Sequence, residues 1–397
     1  MKQLLAFLFI TGLLITGCLD RGASDDTGRD RSPGPSRPIE TNEPSETRGP
    51  APEAGGSASP GGGEPDAGQE PEAVVEELTV LVDRLRIPWS IQLLDGVFYL
   101  TERTGSVVRI ENGRLERQRA ELAKPLSDAA EAGLLGFVQA PDFAETRMAY
   151  AYYTYEDGNR PYNRIVVLRQ EGTVWKEEKV LVDRIPSGSV HHGGRLNIGP
   201  DGMLYATTGD AADAGIAQDP GSLGGKILRL RPDGSIPEDN PFPGSYVYTY
   251  GHRNPQGLAW APDGTMYASE HGNRANDEIN VIEPGQNYGW PVIQGTERRQ
   301  GYVTPLFTSG SGTTWAPSGM AYANGKLYVA ALRGSAVLEF DPASGGHREA
   351  ITGFGRIRDV LIDGPYLYFI TNNTDGRGRP QPDDDKLYRI ALSRLEP

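Results

Sequence analysis

The stretch DGMLYATTGD, Asp201 to Asp210, decides how this chain is read. It opens on an Asp-Gly pair, a tight-turn signal, runs through an aromatic strand and ends on small and polar residues. The same theme returns at Asp95-Gly96, Asp263-Gly264, Asn324-Gly325 and Asp363-Gly364. Between these marks lie short runs rich in Val, Ile, Leu and Tyr, among them RMAYAYYTY, NRIVVLRQ, KLYVAAL and YLYFITNN. No helical period persists for more than about two turns outside the amino-terminal segment. The marks stand about 40 to 106 residues apart, the longest interval hiding a weaker copy. Units of four strands, at roughly 50 residues each, fill the body six times. The pattern predicts an all-β fold, a six-bladed β-propeller of four-stranded blades; a β-sandwich with long loops is the alternative. In a propeller the strand-end loops gather at a central channel, where His271, Arg333 and Arg356 would converge.

The chain has 397 residues and begins MKQLLAFLFITGLLITGC. One Lys, an apolar run and small residues before Cys18 form a signal peptide over residues 1–17, too short for a stable membrane span. Cys18 is the only cysteine. LITGC resembles the lipobox of bacterial lipoproteins. That resemblance implies cleavage before Cys18, a lipid on its sulfur and export to the extracytoplasmic side of a bacterial membrane. With that cysteine used, no disulfide is possible within the mature chain. Residues 18–77 are rich in Gly, Pro, Ser and Glu and have no aromatic residue, which reads as a disordered acidic tether. The body is 78–397. The net charge of -14, with neither half basic, argues against a nucleic-acid partner. Nothing marks an oligomer interface, so the oligomeric state stays open.

SVHHGGRLNIGPDG, Ser189 to Gly202, holds two of the five histidines. Adjacent histidines in an extended segment point to opposite sides and do not chelate one ion, and no HxH or HExxH pattern exists. One of them is instead a candidate base, with Asp210 at the end of the next strand as the carboxylate that orients it. YGHRNPQG places Arg253 and Asn254 in a Pro- and Gly-braced turn, SEHGNRANDEIN is dense in oxygen groups, ALRG brings Arg333, and GRIRDV puts Arg356 and Arg358 on one strand face. Arginines and an asparagine converging on one channel suit a flat polyanionic ligand.

The strings GLLGF, HHGGRLNIGPDG, YATTGD, QDPGSLGGKILRLRPDGSIPEDNPF, YGHRNPQGLAW, DEINVIEPGQNYGWP and GRIRDV span most of the chain from Trp89 to Ile390. In them the chain resembles the soluble pyrroloquinoline-quinone-dependent glucose/sorbosone dehydrogenases, in particular the aldose sugar dehydrogenase branch. The resemblance implies a six-bladed propeller that oxidises the C1 hydroxyl of an aldose sugar to a lactone and passes electrons to an external or respiratory acceptor. By position it makes His191, rather than His192, the base and Asp210 its partner. Arg253, Asn254, Arg356 and Arg358 become quinone-binding residues, Arg253 also stabilising charge during the reaction. It further implies a calcium ion held partly by the backbone carbonyls of Gly272 and Asn273. Two positions depart from the glucose dehydrogenase pattern: Arg333 stands for a quinone-contacting lysine, and Glu131 for a glutamine near the site. Two other readings use the same scaffold: a binding module without redox activity, and a calcium-dependent lactonase, which would need several carboxylates converging on one ion.

Overall fold

The computed structural model describes residues 78–396. The signal peptide expected over 1–17, the lipidated Cys18 and the tether expected over 18–77 lie outside the described residues.

The regular elements of the described residues are almost all strands. After β1 (Thr79–Val82) come β2 (Pro88–Leu94), β3 (Val97–Glu102), β4 (Ser106–Glu111), β5 (Arg114–Glu121), β6 (Leu134–Gln139), β7 (Met148–Asp157), β8 (Arg160–Glu171) and β9 (Val174–Pro186). A second group comprises β10 (Leu196–Ile198), β11 (Leu204–Thr208), β12 (Lys226–Leu230) and β13 (Val247–Tyr250). A third comprises β14 (Pro255–Trp260), β15 (Met266–Glu270), β16 (Glu278–Ile282) and β17 (Phe307–Thr308). The fourth is β18 (Pro317–Ala323), β19 (Lys326–Ala331), β20 (Ala336–Asp341) and β21 (Gly346–Thr352). The chain ends with β22 (Ile357–Asp363), β23 (Tyr366–Thr371) and β24 (Leu387–Ala391), and β1 returns to pair with β24.

The turn signals do what their chemistry requires. Leu94 pairs with Val97 and Ala323 with Lys326, so Asp95-Gly96 and Asn324-Gly325 are two-residue hairpin loops. Both residues of each loop have positive φ (49° and 76°; 51° and 77°), the geometry that matches the twist of the flanking strands. Inner strands such as β11 (LYATT) and β15 (MYASE) are buried at every position, hence their continuous apolar and small residues instead of alternation. The outer strand β21 (GHREAIT) is exposed over its first four residues and charged, which discourages pairing with other chains.

The sequence expectation of a six-bladed propeller of four-stranded blades is corrected by the sheet topology. The described residues form five sheets, four of four strands and one of eight in the order β2-β3-β4-β5-β9-β8-β7-β6. The join is a parallel pairing of β5 with β9, from Arg119 opposite Val174 to Glu121 opposite Lys176. Either strand alone would be a sheet edge with unpaired backbone groups; paired, each satisfies the other. Gln118 seals the join by accepting from Trp175 Nε1 (2.8 Å) and Gln170 Nε2 (2.9 Å). The eight-stranded sheet nearly closes on itself, since Thr101 Oγ1 on β3 donates to Leu135 O on β6 (2.6 Å) and Ser90 Oγ on β2 to the same carbonyl (3.4 Å).

Between sheets there is no backbone ladder, so side chains make the connections. Arg195 donates through Nη1 to Asp359 Oδ2 (2.8 Å) and through Nε to Gln256 O (2.8 Å). Asp359 Oδ2 also accepts from the backbone N–H of Ile91 (2.9 Å), so one carboxylate ties β2, β22 and the lead-in to β10. Its other oxygen lies 1.5 Å from where a Cβ on residue 319 would stand, so Gly319 admits no side chain. Arg195 stacks on Trp89, 4.4 Å from the ring centroid. Both charges are almost fully buried, and removing one strands the other. Asp359→Ala is therefore expected to cost about 3–5 kcal/mol, read from the urea midpoint; a loss below about 1 kcal/mol would show that this pair does not hold the sheets.

Candidate active site

Antiparallel pairing brings the start of one strand and the end of the next to the same end of a sheet. Leu196 faces Ala206, Pro255 faces Glu270, Pro317 faces Ala331 and Ile357 faces Thr371. The loops at these ends carry the residues singled out from the sequence, and contacts link them in a closed circuit. Gly193 N donates to Asn254 Oδ1 (2.9 Å) and Asp210 N to Arg253 O (2.8 Å). Arg253 Nη1 reaches His271 O (3.3 Å), and Asp277 Oδ2 accepts from Trp315 N (2.6 Å). Arg333 N donates to Trp315 O (3.0 Å), and Arg356 Nη1 to Leu332 O (3.3 Å). Arg356 bonds Asp375 through Nε (3.0 Å) and Nη2 (2.7 Å). Two residues beyond Asp375, Arg377 pairs with Glu131, whose second oxygen accepts from His191 N (3.4 Å).

The two histidines have separate duties. His191 Nδ1 lies 2.7 Å from Asp210 Oδ1, with the imidazole partly open to solvent and the carboxylate buried. His191 holds a left-handed backbone (φ 64°), and its carbonyl lies 1.9 Å from where a Cβ on residue 209 would be. Gly209 is thus required for the approach of the two loops. Asp210 Oδ1 also accepts from Ala212 N (2.9 Å), and Oδ2 from Trp290 Nε1 (2.8 Å). His192 is internal: Nδ1 bonds Ser187 Oγ and Nε2 bonds Ala130 O, both at 2.8 Å. Burial pulls its pKa down, and with both nitrogens engaged it serves structure.

The arginines fall into two groups. Arg358 is buried and bonded only to neutral oxygens: Asn372 Oδ1, Gln256 Oε1 (2.9 Å) and Ser318 Oγ. Its pKa is lowered, first by burial and then by Arg103 and Arg356. Arg253, also lowered by burial, has a buried Nε without a hydrogen-bond partner, as does His271 at Nε2. Arg333 and Arg356 line a cavity of about 340 Å³ together with Arg377 and Arg379, and no carboxylate lines it. An acidic protein has here concentrated cations and unpaired donors, a set that fits a flat ligand bearing several carboxylates.

Glu131 does not add a free negative charge to this wall. Burial alone would raise its carboxyl, but the bonded Arg377 guanidinium holds it down at about 2. The loop expected to carry calcium at the carbonyls of Gly272 and Asn273 is braced by a carboxylate of its own. Gly272 N donates to Asp277 Oδ1 (2.8 Å), and Asp277 Oδ2 is taken up by Thr314 Oγ1, Trp315 N and Ala316 N, so this carboxylate braces the loop. Asn273 is exposed, and among the described residues no group of three or more His, Cys, Asp or Glu is placed to hold a metal. Two residues of the site were not expected from the sequence. Trp290 stands in NYGWP, a stretch with no site role assigned from the sequence, and the turn TDGRGRP gives no sign of the distant partner of Arg377.

A histidine–carboxylate pair on the same circuit of loops as two arginines whose guanidinium groups bond only neutral oxygens suits an enzyme that works with a polyanionic cofactor. The chain belongs to the Glucose / Sorbosone dehydrogenase family, which residues 85–389 match, and it is a redox enzyme. It is 32% identical over 342 residues to the aldose sugar dehydrogenase YliI of Escherichia coli, covering 75% of this chain and 90% of that one. Among solved structures, it resembles the pyrroloquinoline-quinone-bound aldose sugar dehydrogenase of Streptomyces coelicolor at 38% identity and a TM-score of 0.74, over 79% of this chain and 98% of that one. A glucose dehydrogenase-like oxidoreductase of Thermus thermophilus matches at 40% identity and a TM-score of 0.72, over 79% and 99%.

Glu131 gives a stability test. Its folded pKa lies below its unfolded value near 4.3, so its contribution is complete above that pH and is lost as pH falls toward 2. The urea midpoint of the wild type is expected to fall more steeply between about pH 5 and pH 2.5 than that of Glu131→Gln. Parallel curves would refute the pairing with Arg377.

Proposed function

We propose that this protein oxidises the C1 hydroxyl of aldose sugars to lactones, with pyrroloquinoline quinone held by the arginine-rich end of the sheets. The observation that carries the reading is the His191–Asp210 bond of 2.7 Å on the same circuit of loops as Arg253 and Arg358, whose guanidinium groups bond only neutral oxygens. Arg358, Arg356, Arg333 and Asn254 are the residues that would hold the quinone's carboxylates and carbonyls. Bound there, the quinone supplies the two-electron acceptor for the hydride that leaves C1.

The chain's own part is proton chemistry and positioning. Asp210 takes the Nδ1 proton of His191 as a hydrogen bond, which leaves Nε2 as the basic atom of the ring. Nε2 accepts the proton of the anomeric hydroxyl as the C1–O bond becomes a carbonyl, so sugar loses one proton to His191 and one hydride to the acceptor. The imidazolium that forms is stabilised by Asp210. Arg253, with one guanidinium nitrogen unpaired, is placed to offset negative charge that grows during transfer. An external acceptor takes the electrons finally. The amino-terminal segment leads us to place the activity outside the cytoplasm. The donor set also favours this reading over a lactonase, which needs carboxylates converging where this chain presents arginines.

Dye-linked oxidation of an aldose panel, with quinone added to protein purified without it, tests the reading. Turnover is expected to require quinone and to fall at least about a hundredfold in His191→Ala, while quinone binding by equilibrium dialysis stays near the wild-type value. Turnover that survives the substitution would remove His191 as the base, and absence of quinone binding to the wild type would remove the dehydrogenase reading.

A further inference from the structure

Asp210 is useful only if its carboxylate keeps one orientation, because rotation about its last side-chain bond would withdraw Oδ1 from His191. That torsion is intrinsically broad. Oδ1 is fixed by His191 Nδ1 and Ala212 N, and on Oδ2 the bond is the 2.8 Å contact from the indole N–H of Trp290. Trp290 is itself pinned: its backbone N–H donates to Gly251 O (2.9 Å), and its carbonyl accepts from Gln218 Nε2 (2.6 Å). Gln218 exchanges two further bonds with Asn287, so the clamp on Trp290 has its own support.

The same indole ring carries Arg253, whose guanidinium carbon lies 5.4 Å from the ring centroid. Arg253 is held at its backbone N–H by Glu270, and its carbonyl accepts from Asp210 N. One side chain therefore touches both the carboxylate that orients the base and the cation opposite it. Tryptophan is suited to this double contact, having a donor-only N–H on one edge and a broad π-face for a guanidinium. We propose that Trp290 is a positioning residue that fixes the distance and orientation of the base relative to Arg253, acting through Asp210 and the stacked guanidinium. The proposal rests on reading His191 as the base.

The charged and titratable groups around the dyad are Arg253, Glu131 bonded to the His191 backbone, His192 beside it, and Glu270 behind Arg253. None of them replaces the donor on Oδ2. Loss of that donor leaves the Asp210 charge more fully available to the imidazolium, so His191 keeps its proton to higher pH. Trp290→Phe keeps a ring under Arg253 and removes only the N–H.

With quinone-loaded protein, Trp290→Phe is expected to lower kcat by about tenfold to a hundredfold. The acid limb of kcat/KM moves to higher pH, while quinone binding by equilibrium dialysis changes less than about threefold. Trp290→Ala adds weaker quinone binding through Arg253. An unmoved acid limb, or kcat within about twofold of wild type, overturns the proposal. Should the variants not fold, the indole N–H resonance of Trp290 in unloaded wild type is expected downfield and slow to exchange, shifting upfield in Asp210→Ala. A resonance indifferent to that change overturns the contact. This arm is readable without turnover, so failure of the dehydrogenase reading and failure of the Trp290 assignment are told apart.

Discussion

Where two sheets pack without a shared ladder, the polar groups of their innermost strands must find partners across the gap or remain unpaired in the interior. The Arg195–Asp359 pair meets that constraint, with Gln256 O and the Ile91 N–H as the outer members of the same network. Arg358 repeats the device a little further along, reaching Gln256 and Ser318 from β22, and Asn372 Nδ2 donates to Pro88 O (3.0 Å). These bonds fix how far apart the sheets stand. The site inherits its geometry from them, because its residues sit on loops only a few positions beyond the strands so tied. Gly209 and Gly319 serve the same end by letting backbone and carboxylate approach where a methyl group would not fit.

Much of this was legible in the sequence. The Asp-Gly and Asn-Gly marks located hairpins, and two of them are tight loops with the backbone signs that those residues permit. The dyad was legible because His191 and Asp210 flank a single hairpin, so local geometry alone brings them together. The merging of β5 and β9 was not, since two sheet edges pair through backbone atoms that every residue has, and only Gln118 and Trp175 mark the place. The glutamate at 131 drew notice as a departure from a pattern, but its meaning depends on Arg377, 246 residues away. Long-range ion pairs of this kind leave no periodicity. Trp290 escaped for a different reason: a tryptophan in a Gly- and Pro-rich turn reads as packing until its N–H is seen to find a carboxylate.

The electrostatics of the site follow from an imbalance. Arg356 and Arg377 are each matched with one carboxylate, while buried Arg358 and half-buried Arg253 have neutral side-chain partners and raise the local potential. Unligated protein keeps these charges at a cost in desolvation, which a polyanion would relieve. Affinity for such a ligand is then stored in the fold as unrelieved charge. Asp277, a carboxylate able in principle to draw a cation to this end, is spent on three backbone N–H groups and a hydroxyl.

β1 carries a consequence of another kind. It lies at the start of the described residues yet pairs with β24 at their end, and the junction is reinforced where Leu85 and Asp385 exchange backbone hydrogen bonds. A ribosome releases β1 about three hundred residues before its partner strand exists, so the first strand of the described body waits for the last. Sheets formed in the interval can pack on neighbours, but the ring of loop contacts cannot close, and Glu131 has no Arg377 to meet. Completion is a single late event that joins β1, β24 and the site together. Folding of this body should accordingly be cooperative along its whole length, with high contact order and a functional pocket that does not exist in any shorter fragment.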